Sequence, residues 1–298
     1  MAGEVTKQLI RDWWAAAPQT YGTVHGQATY ETEDGRTEAF SLGTRDFFEH
    51  VDRTFYKWTD GLHTEDAFFA RLFTYEQYRN LDVLEIGCGL GTMAMNWARQ
   101  GAKITAIDLN PISVAQTSQR FKLYGLTGLI LQMDANNLSF GDQAFDYVYS
   151  WGVLHHSPDL QRSVDEAFRV LRPGGGFGIM LYNRRSVFYW HRIRYLEGYL
   201  HGESRFLTSL QLASRYTDGS EQEGNPHTWP VTREEVRRMF RPYSADVRVF
   251  AGGIIDYGLP RKLEAYFPQV LKEAWARRWG WSLWITGTKR QGTRELSR

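Results

Sequence analysis

Cysteine is almost absent from this sequence: one residue, Cys88, in 298. A single thiol excludes an intrachain disulfide and a zinc cage of several thiolates, and it suits a reducing compartment. Net charge is nearly absent too, +1 from 35 Lys and Arg against 34 Asp and Glu. So even a balance leaves no general footprint for nucleic acid or for an anionic membrane surface. No apolar run approaches membrane-spanning length, and Met1, Ala2, Gly3 and Glu4 lack the basic-then-apolar pattern of a signal peptide. These absences lead to the expectation of a cytoplasmic protein that works without nucleic acid or membrane. Internal repeats and low-complexity stretches are missing as well.

Tryptophan is plentiful: 11 residues, nine of them outside 81–183. Core and interface packing is the first use of such side chains, with an aromatic wall for an acceptor pocket as the functional alternative. A tryptophan-rich tail is compatible with a homo-oligomeric interface.

The middle of the chain alternates strand and helix signals. Strands are expected at Asp82–Ile86, Lys103–Leu109, Leu129–Met133, Phe145–Trp151 and Gly176–Tyr182. Helices are expected at Thr92–Arg99, closed by Gly101; at Pro111–Tyr124, closed by Gly125; and at Gln161–Leu171, ended by Pro173 and three glycines. This alternation predicts right-handed βαβ units, hence an α/β fold with a doubly wound, mostly parallel sheet and helices on both faces. In the tail, Thr232 and Glu235 form a capping box for a helix ending near Phe240, and Asp246–Phe250 and Trp281–Thr288 read as strands. Four segments follow: 1–80, an N-terminal helical and aromatic lid, mostly helical after Gly43; 81–183, a cofactor-binding core; 184–230, an acceptor-cap insertion; and 231–298, completing the sheet.

Glu85, Ile86, Gly87, Cys88, Gly89, Leu90 and Gly91 lie where the first strand of the core meets its helix. Glycines there permit a tight turn and close backbone approach to a ligand. A dinucleotide pattern would want its third small residue at Thr92, whereas the glycine falls at Gly91. Glu85 has no part in holding a pyrophosphate but suits a ligand carrying an ammonium and a sulfonium. Asp108 follows about twenty residues beyond the loop, where a carboxylate can accept from both ribose hydroxyls; the alternative is an N-cap for the helix at Pro111. Asp134, followed by Ala135, is placed to meet an adenine edge, or else is a turn aspartate.

The ordered run VLEIGCGLGT, AIDLNP, QMDANNLSF, FDYVYSWGVLHHSPD and AFRVLRPGGGFGIMLYN resembles the motif series of class I S-adenosylmethionine-dependent methyltransferases, especially the small-molecule group associated with ubiquinone and menaquinone methylation. The resemblance covers about 80–183, with a weaker echo in 231–290. It implies a seven-stranded Rossmann-like sheet with its last strand antiparallel, S-adenosylmethionine as cofactor, and a small-molecule acceptor methylated on O, N or C, in secondary metabolism among other settings. Carried over, Gly87, Gly89 and Gly91, with Cys88 between them, would line the methionine portion. Asp108 would hold the ribose, Leu109 would lie beside the adenine, Asp134 and Ala135 would hold its edge, and Ser150, Trp151 and Gly152 would pass beneath the cofactor.

His155 and His156 follow the fourth strand, where an imidazole can act as a general base or orient an acceptor; the plainer reading is a loop hydrogen bond. Sequence neighbours rarely point at one ion, so no metal is expected. Arg11 to Trp14, Tyr21 and Tyr56 resemble the aromatic leader that folds over the cofactor in related enzymes, which makes Tyr21 and Tyr56 candidates for touching cofactor or acceptor. Arg184, Arg185, His191, Arg192, Arg194 and Arg205 lie among Phe188, Tyr189, Trp190 and Tyr195. They form a solvated amphipathic helix or a cap for an apolar acceptor with an anionic group; on the second reading, alanine at Arg192 and Arg194 weakens acceptor use. Two rival functions stay open: a catalytically silent methyltransferase-like binding module, and an NAD-type oxidoreductase.

Overall fold

The structure, a computed structural model, describes residues 5–16, 23–24, 27–31, 37–55, 63–64, 67–70, 72–218, 224–244, 246–252 and 268–291. The chain opens with helix α1 (Lys7–Ala16), then a small antiparallel sheet of β1 (Thr23–Val24), β2 (Gln27–Glu31) and β3 (Thr37–Ser41), then α2 (Arg45–Phe55). Helix after Gly43 was expected; the three strands before it were not, because short polar segments carry little strand signal.

The core runs β4 (Asp82–Ile86), α3 (Thr92–Arg99), β5 (Lys103–Asp108), α4 (Pro111–Leu123), β6 (Leu129–Gln132), β7 (Phe145–Trp151), α5 (Leu160–Val170) and β8 (Leu171–Tyr182). A π-helix (Phe188–Leu200), α6 (Ser209–Tyr216), α7 (Arg233–Phe240), β9 (Arg248–Gly252), α8 (Gln269–Trp279) and β10 (Ser282–Thr288) follow. Seven strands pair in the order β6-β5-β4-β7-β8-β10-β9, with β10 antiparallel to both neighbours. This is the doubly wound sheet expected, with its last strand antiparallel. The chain builds outward from β4 to β6, then returns to β4's other edge with β7. Strand order reverses there, leaving a crevice at the carboxyl ends of the strands.

β4 shows why the sheet is buried on both faces. Val83, Leu84 and Ile86 are 0–1% exposed, an apolar content on both faces, interrupted only by Glu85, of the kind parallel strands need when helices cover both sides. One face packs Phe73, Trp97, Tyr147, Tyr149 and Trp284; the other packs Leu84, Val148, Phe168, Phe177 and Phe240. The helices start on proper caps: Asn110 accepts from Ile112 N ahead of Pro111, Asp159 from Arg162 N, and Thr232 forms the expected box with Glu235. One boundary differs. α5 stops at Val170 and β8 begins immediately, absorbing Pro173 and the glycines that read as a break. The extra residues bulge out between the Phe145–Leu171 and Tyr147–Gly176 pairs, with Gly174 at φ +78°.

Candidate functional site

A cavity of about 480 Å³ opens at the carboxyl ends of β4, β5, β6 and β7. Gly87 and Gly89 follow β4 into its wall, Asp108 and Leu109 follow β5, Asp134 and Ala135 follow β6, and Trp151 ends β7. Across the opening, Lys7, Ile10, Arg11 and Trp14 of α1 form the outer wall. Two contacts fasten that helix: Lys7 Nζ lies 2.5 Å from Asp134 Oδ2, and Asn110 Nδ2 donates to the Trp14 carbonyl at 2.8 Å.

The glycine loop uses its amides internally. Gly87 and Cys88 N–H both donate to the Ile107 carbonyl (2.7 and 2.9 Å), Gly91 N–H to the Cys88 carbonyl (2.8 Å), and Gly89 N–H to Asp108 Oδ2 (2.9 Å). A pyrophosphate cradle needs such donors free, so this arrangement disfavours a dinucleotide. Gly87 has φ +84°, and a Cβ there would lie 2.2 Å from Val153 Cγ2, itself a cavity residue. Gly87→Ala is expected to lower stability by about 2 kcal/mol or more, from left-handed strain together with overpacking. A urea-unfolding midpoint measured against wild type checks this.

Asp108 is the best-braced acid in the wall. Its Oδ2 takes the Gly89 amide and its Oδ1 the Asn110 amide, each at 2.9 Å. Burial pushes its carboxyl up, while the Asn110, Gly89 and Leu109 amides pull it back. Each oxygen keeps acceptor capacity for a ligand hydroxyl. Asp134 holds the Asn136 amide at 2.8 Å and Lys7.

Several candidates sit elsewhere than the sequence suggested. Glu85 is 3% exposed beneath the loop and does not line the cavity. Burial, reinforced by Asp108 and opposed by Arg120, pushes its carboxyl well above the usual range. Cys88 is buried and receives the Thr117 hydroxyl at 3.5 Å; Gly91 caps α3; Ser150 Oγ donates to the Ile86 carbonyl at 2.9 Å, tying β7 to the end of β4. None of the three lines the cavity. His155 is fully enclosed, its ring centroid 3.9 Å from that of Tyr182, and it stays outside the cavity wall. Burial drives its imidazole well below the usual range, and of the two histidines only His156 lines the cavity. Tyr21 and Tyr56 lie outside the described residues.

Two residues emerge that sequence reasoning missed. Tyr182, at the end of β8, and Asp218, after α6, line the cavity beside His156. The Tyr182 hydroxyl donates to Asp218 Oδ1 at 2.6 Å, and His156 Nε2 lies 3.5 Å from Asp218 Oδ2. Ligand-capable atoms of His155, His156 and Asp218 all fall within 4.8 Å of one another. No local pattern marks Asp218; only the packing of α6 against the π-helix brings it here.

The arginine-rich segment does not reach the cavity. Arg184 pairs with Glu235, Arg185 with Glu234 at 3.2 Å, Arg192 with Glu197 at 3.1 Å, and Arg194 Nη1 donates to Ser209 Oγ at 2.7 Å. Arg184 and Arg185 thus tie the segment before the π-helix to α7, Arg192 pairs within the π-helix, and Arg194 joins it to α6. Arg194→Ala is therefore expected to cost below about 1 kcal/mol. Arg192→Ala should cost more, because it takes one of two cationic partners from the buried Glu197 carboxylate. Both should leave ligand affinity unchanged, as thermal melts and calorimetry would show. Among the tryptophans, Trp97, Trp281 and Trp284 are buried, Trp14 and Trp151 line the cavity, and Trp190, Trp229, Trp275 and Trp279 are exposed.

A family model described as a methyltransferase domain matches residues 84–179. A sterol 24-C-methyltransferase of Neurospora crassa is 27% identical over 168 residues, 51% of this chain and 44% of that protein. The corresponding Saccharomyces cerevisiae enzyme is 25% identical over 193 residues, 59% of this chain and 48% of its own. The chain thus spans about half the length of the curated relatives it matches. A crystal structure of a SAM-dependent methyltransferase from Methanosarcina mazei overlays with a TM-score of 0.52 at 20% identity, covering 73% of this chain and 96% of that one. That likeness is one of fold.

Proposed function

We propose that this chain, whose residues 84–179 match a methyltransferase-domain family model, is a class I S-adenosylmethionine-dependent methyltransferase that transfers a methyl group to an apolar small molecule by direct in-line displacement. The observation that carries the reading is Asp108: a half-buried carboxylate, fixed by two backbone amides, in the wall of a cavity whose glycine loop offers few free donors to a phosphate. Asp108 would hold the ribose hydroxyls with Leu109 alongside the adenine, Asp134 and Ala135 would meet the adenine edge, and Gly87 and Gly89 would admit the methionine portion. When bound, the cofactor supplies a methyl carbon on a sulfonium, already a good leaving group.

The chain's own work is positioning and exclusion of water. α1 covers the site with Trp14 and Ile10, while Val153, Leu154 and Met180 add apolar wall. The curated relatives named above act on sterols, and such walls suit an acceptor with an apolar body. The cations at the cavity are Lys7 and Arg11 of α1 rather than the arginines of 184–205, so an anionic group on the acceptor is not part of the proposal.

Calorimetric titration with S-adenosylhomocysteine tests it. One ligand per chain with micromolar affinity is expected. Absence of binding by well-folded protein would overturn the proposal and leave the silent-module reading in its place.

A further inference from the structure

His156 Nε2 and Asp218 Oδ2 face each other at 3.5 Å beside Tyr182, each without a hydrogen-bond partner among the described residues. His156 Nδ1 lies 2.9 Å from the carbonyl oxygen of His227. A carbonyl only accepts, so Nδ1 carries the hydrogen and Nε2 of the neutral ring carries a lone pair. Burial holds the imidazole below its ordinary range with Asp218 opposing, and pushes the Asp218 carboxyl up with His156 and the Tyr182 hydroxyl opposing. Asp218 spends Oδ1 on the Tyr182 hydroxyl, leaving Oδ2 3.5 Å from Nε2. Both Nε2 and Oδ2 are buried and lack a hydrogen-bond partner among the described residues, yet both side chains line the cavity.

Buried acceptors without donors are costly and uncommon in folded proteins. Asp218 also holds φ +52°, a left-handed conformation unusual outside glycine. Residues in such conformations cluster at ligand sites, where surrounding structure fixes them. The other groups around the pair include the rings of His155 and Tyr182, His227, Trp14, whose ring centroid lies 5.2 Å from that of His156, and the Thr228 hydroxyl, 3.3 Å from Nδ1 and itself donating to Asn225 Oδ1 at 2.8 Å.

We propose that the methyl acceptor supplies the missing hydrogen: it carries an O–H or N–H that donates to His156 Nε2 and Asp218 Oδ2, and the pair takes that proton as the same atom is methylated. This rests on the methyltransferase reading above and narrows it to hydroxyl and amine acceptors. The bonds balance. The new bond from oxygen or nitrogen to the methyl carbon forms as the carbon–sulfur bond breaks, its electron pair remaining on sulfur. The O–H or N–H electrons remain on the attacking atom, and the proton passes to the pair. A carbon acceptor of alkene type has no such hydrogen to offer before transfer, so the proposal separates this chain from relatives named for methylating carbon.

The probes are para-nitrophenol and para-nitroanisole, which share a ring and differ in having or lacking the donor hydrogen. Their binding to wild type, with and without S-adenosylhomocysteine, is read by calorimetry and by the phenolate absorption band. The phenol is expected to bind at least about tenfold tighter than the anisole, equivalent to one hydrogen bond of ordinary net strength. Its phenolate band should appear at a pH where the free dye is mostly protonated. Asp218→Asn, which presents an amide in place of the carboxylate, should remove both signals. Equal affinities, no binding of the phenol by wild type, or a preference surviving in Asp218→Asn would each overturn the proposal. So would a preference that appears only with added zinc, which would make His155, His156 and Asp218 a metal site. The wild-type comparison decides the matter if the variant fails to fold. Failure of S-adenosylhomocysteine to bind would strike the methyltransferase reading separately, because the two nitro compounds can be compared without it.

Discussion

Asp108→Ala is expected to weaken S-adenosylhomocysteine binding about 100-fold or more, measured by calorimetry against wild type. Two charge-assisted hydrogen bonds to ribose hydroxyls would be lost, each contributing about 1.5–3 kcal/mol, and about 1.4 kcal/mol corresponds to a factor of ten. The variant also strands the Gly89 and Asn110 amides that Asp108 now accepts at 2.9 Å. A buried donor left unpaired costs about 1–3 kcal/mol, so the melting temperature should fall as well. Asp108→Asn separates the two effects: its amide oxygen can still take one loop amide, while the charge that favours the ribose is gone. Affinity within about twofold of wild type in both variants would remove Asp108 from the cofactor site.

The largest stability effect is expected from Asp52→Ala. Arg120 is 0% exposed, and its guanidinium pairs with Asp52 of α2, the Leu90 carbonyl (3.2 Å) and the Thr92 hydroxyl (3.0 Å). It also lies 5.0 Å over the Phe48 ring. Asp52 in turn accepts from Thr92 at 2.8 Å, so this ion pair docks α2, with Phe47, Phe48 and Val51, against Leu90 of the glycine loop. Removing one partner leaves a buried, uncompensated charge, which costs about 3–5 kcal/mol. A fall in melting temperature of roughly 6–15 °C follows for a domain of this size. Adding Arg120→Met should recover much of the loss, because an apolar side chain of similar length removes the stranded charge. A loss below about 1 kcal/mol in the single variant would mean that water or a neighbour compensates Arg120.

The strands and helices of 82–182 were legible because glycine and proline punctuate them and the apolar runs between are too short for anything but buried strands. The same punctuation misled at Pro173: a proline and three glycines mark a break in most contexts, but here a bulge lets β8 pass through them. The strand-side wall of the cavity was readable for a similar reason. Gly87, Gly89, Asp108, Leu109, Asp134, Ala135 and Trp151 all follow or end strands of one parallel sheet, and that topology carries strand ends to one crevice. Glu85 was misplaced because its partner was inferred from ligand charge, whereas the alternation of β4 turns its side chain into the interior. The side formed by Tyr182 and Asp218 was not readable. Asp218 lies far along the chain from His156, and their meeting depends on how α6 packs, which no period in the sequence encodes.

The internal pairing of the loop amides at Gly87, Cys88, Gly89 and Gly91 has a thermodynamic corollary. Fixing the backbone of one residue costs about 1–2 kcal/mol in conformational entropy. In this chain that cost is met during folding, by the bonds to Ile107, Cys88 and Asp108, before any ligand arrives. Binding then begins from an ordered turn, and the ligand's contacts appear in the affinity undiminished by loop closure. The site is preorganised on its strand side, which leaves α1, held through Lys7 and Trp14, as the part of the enclosure whose opening and closing can set the rate of exchange.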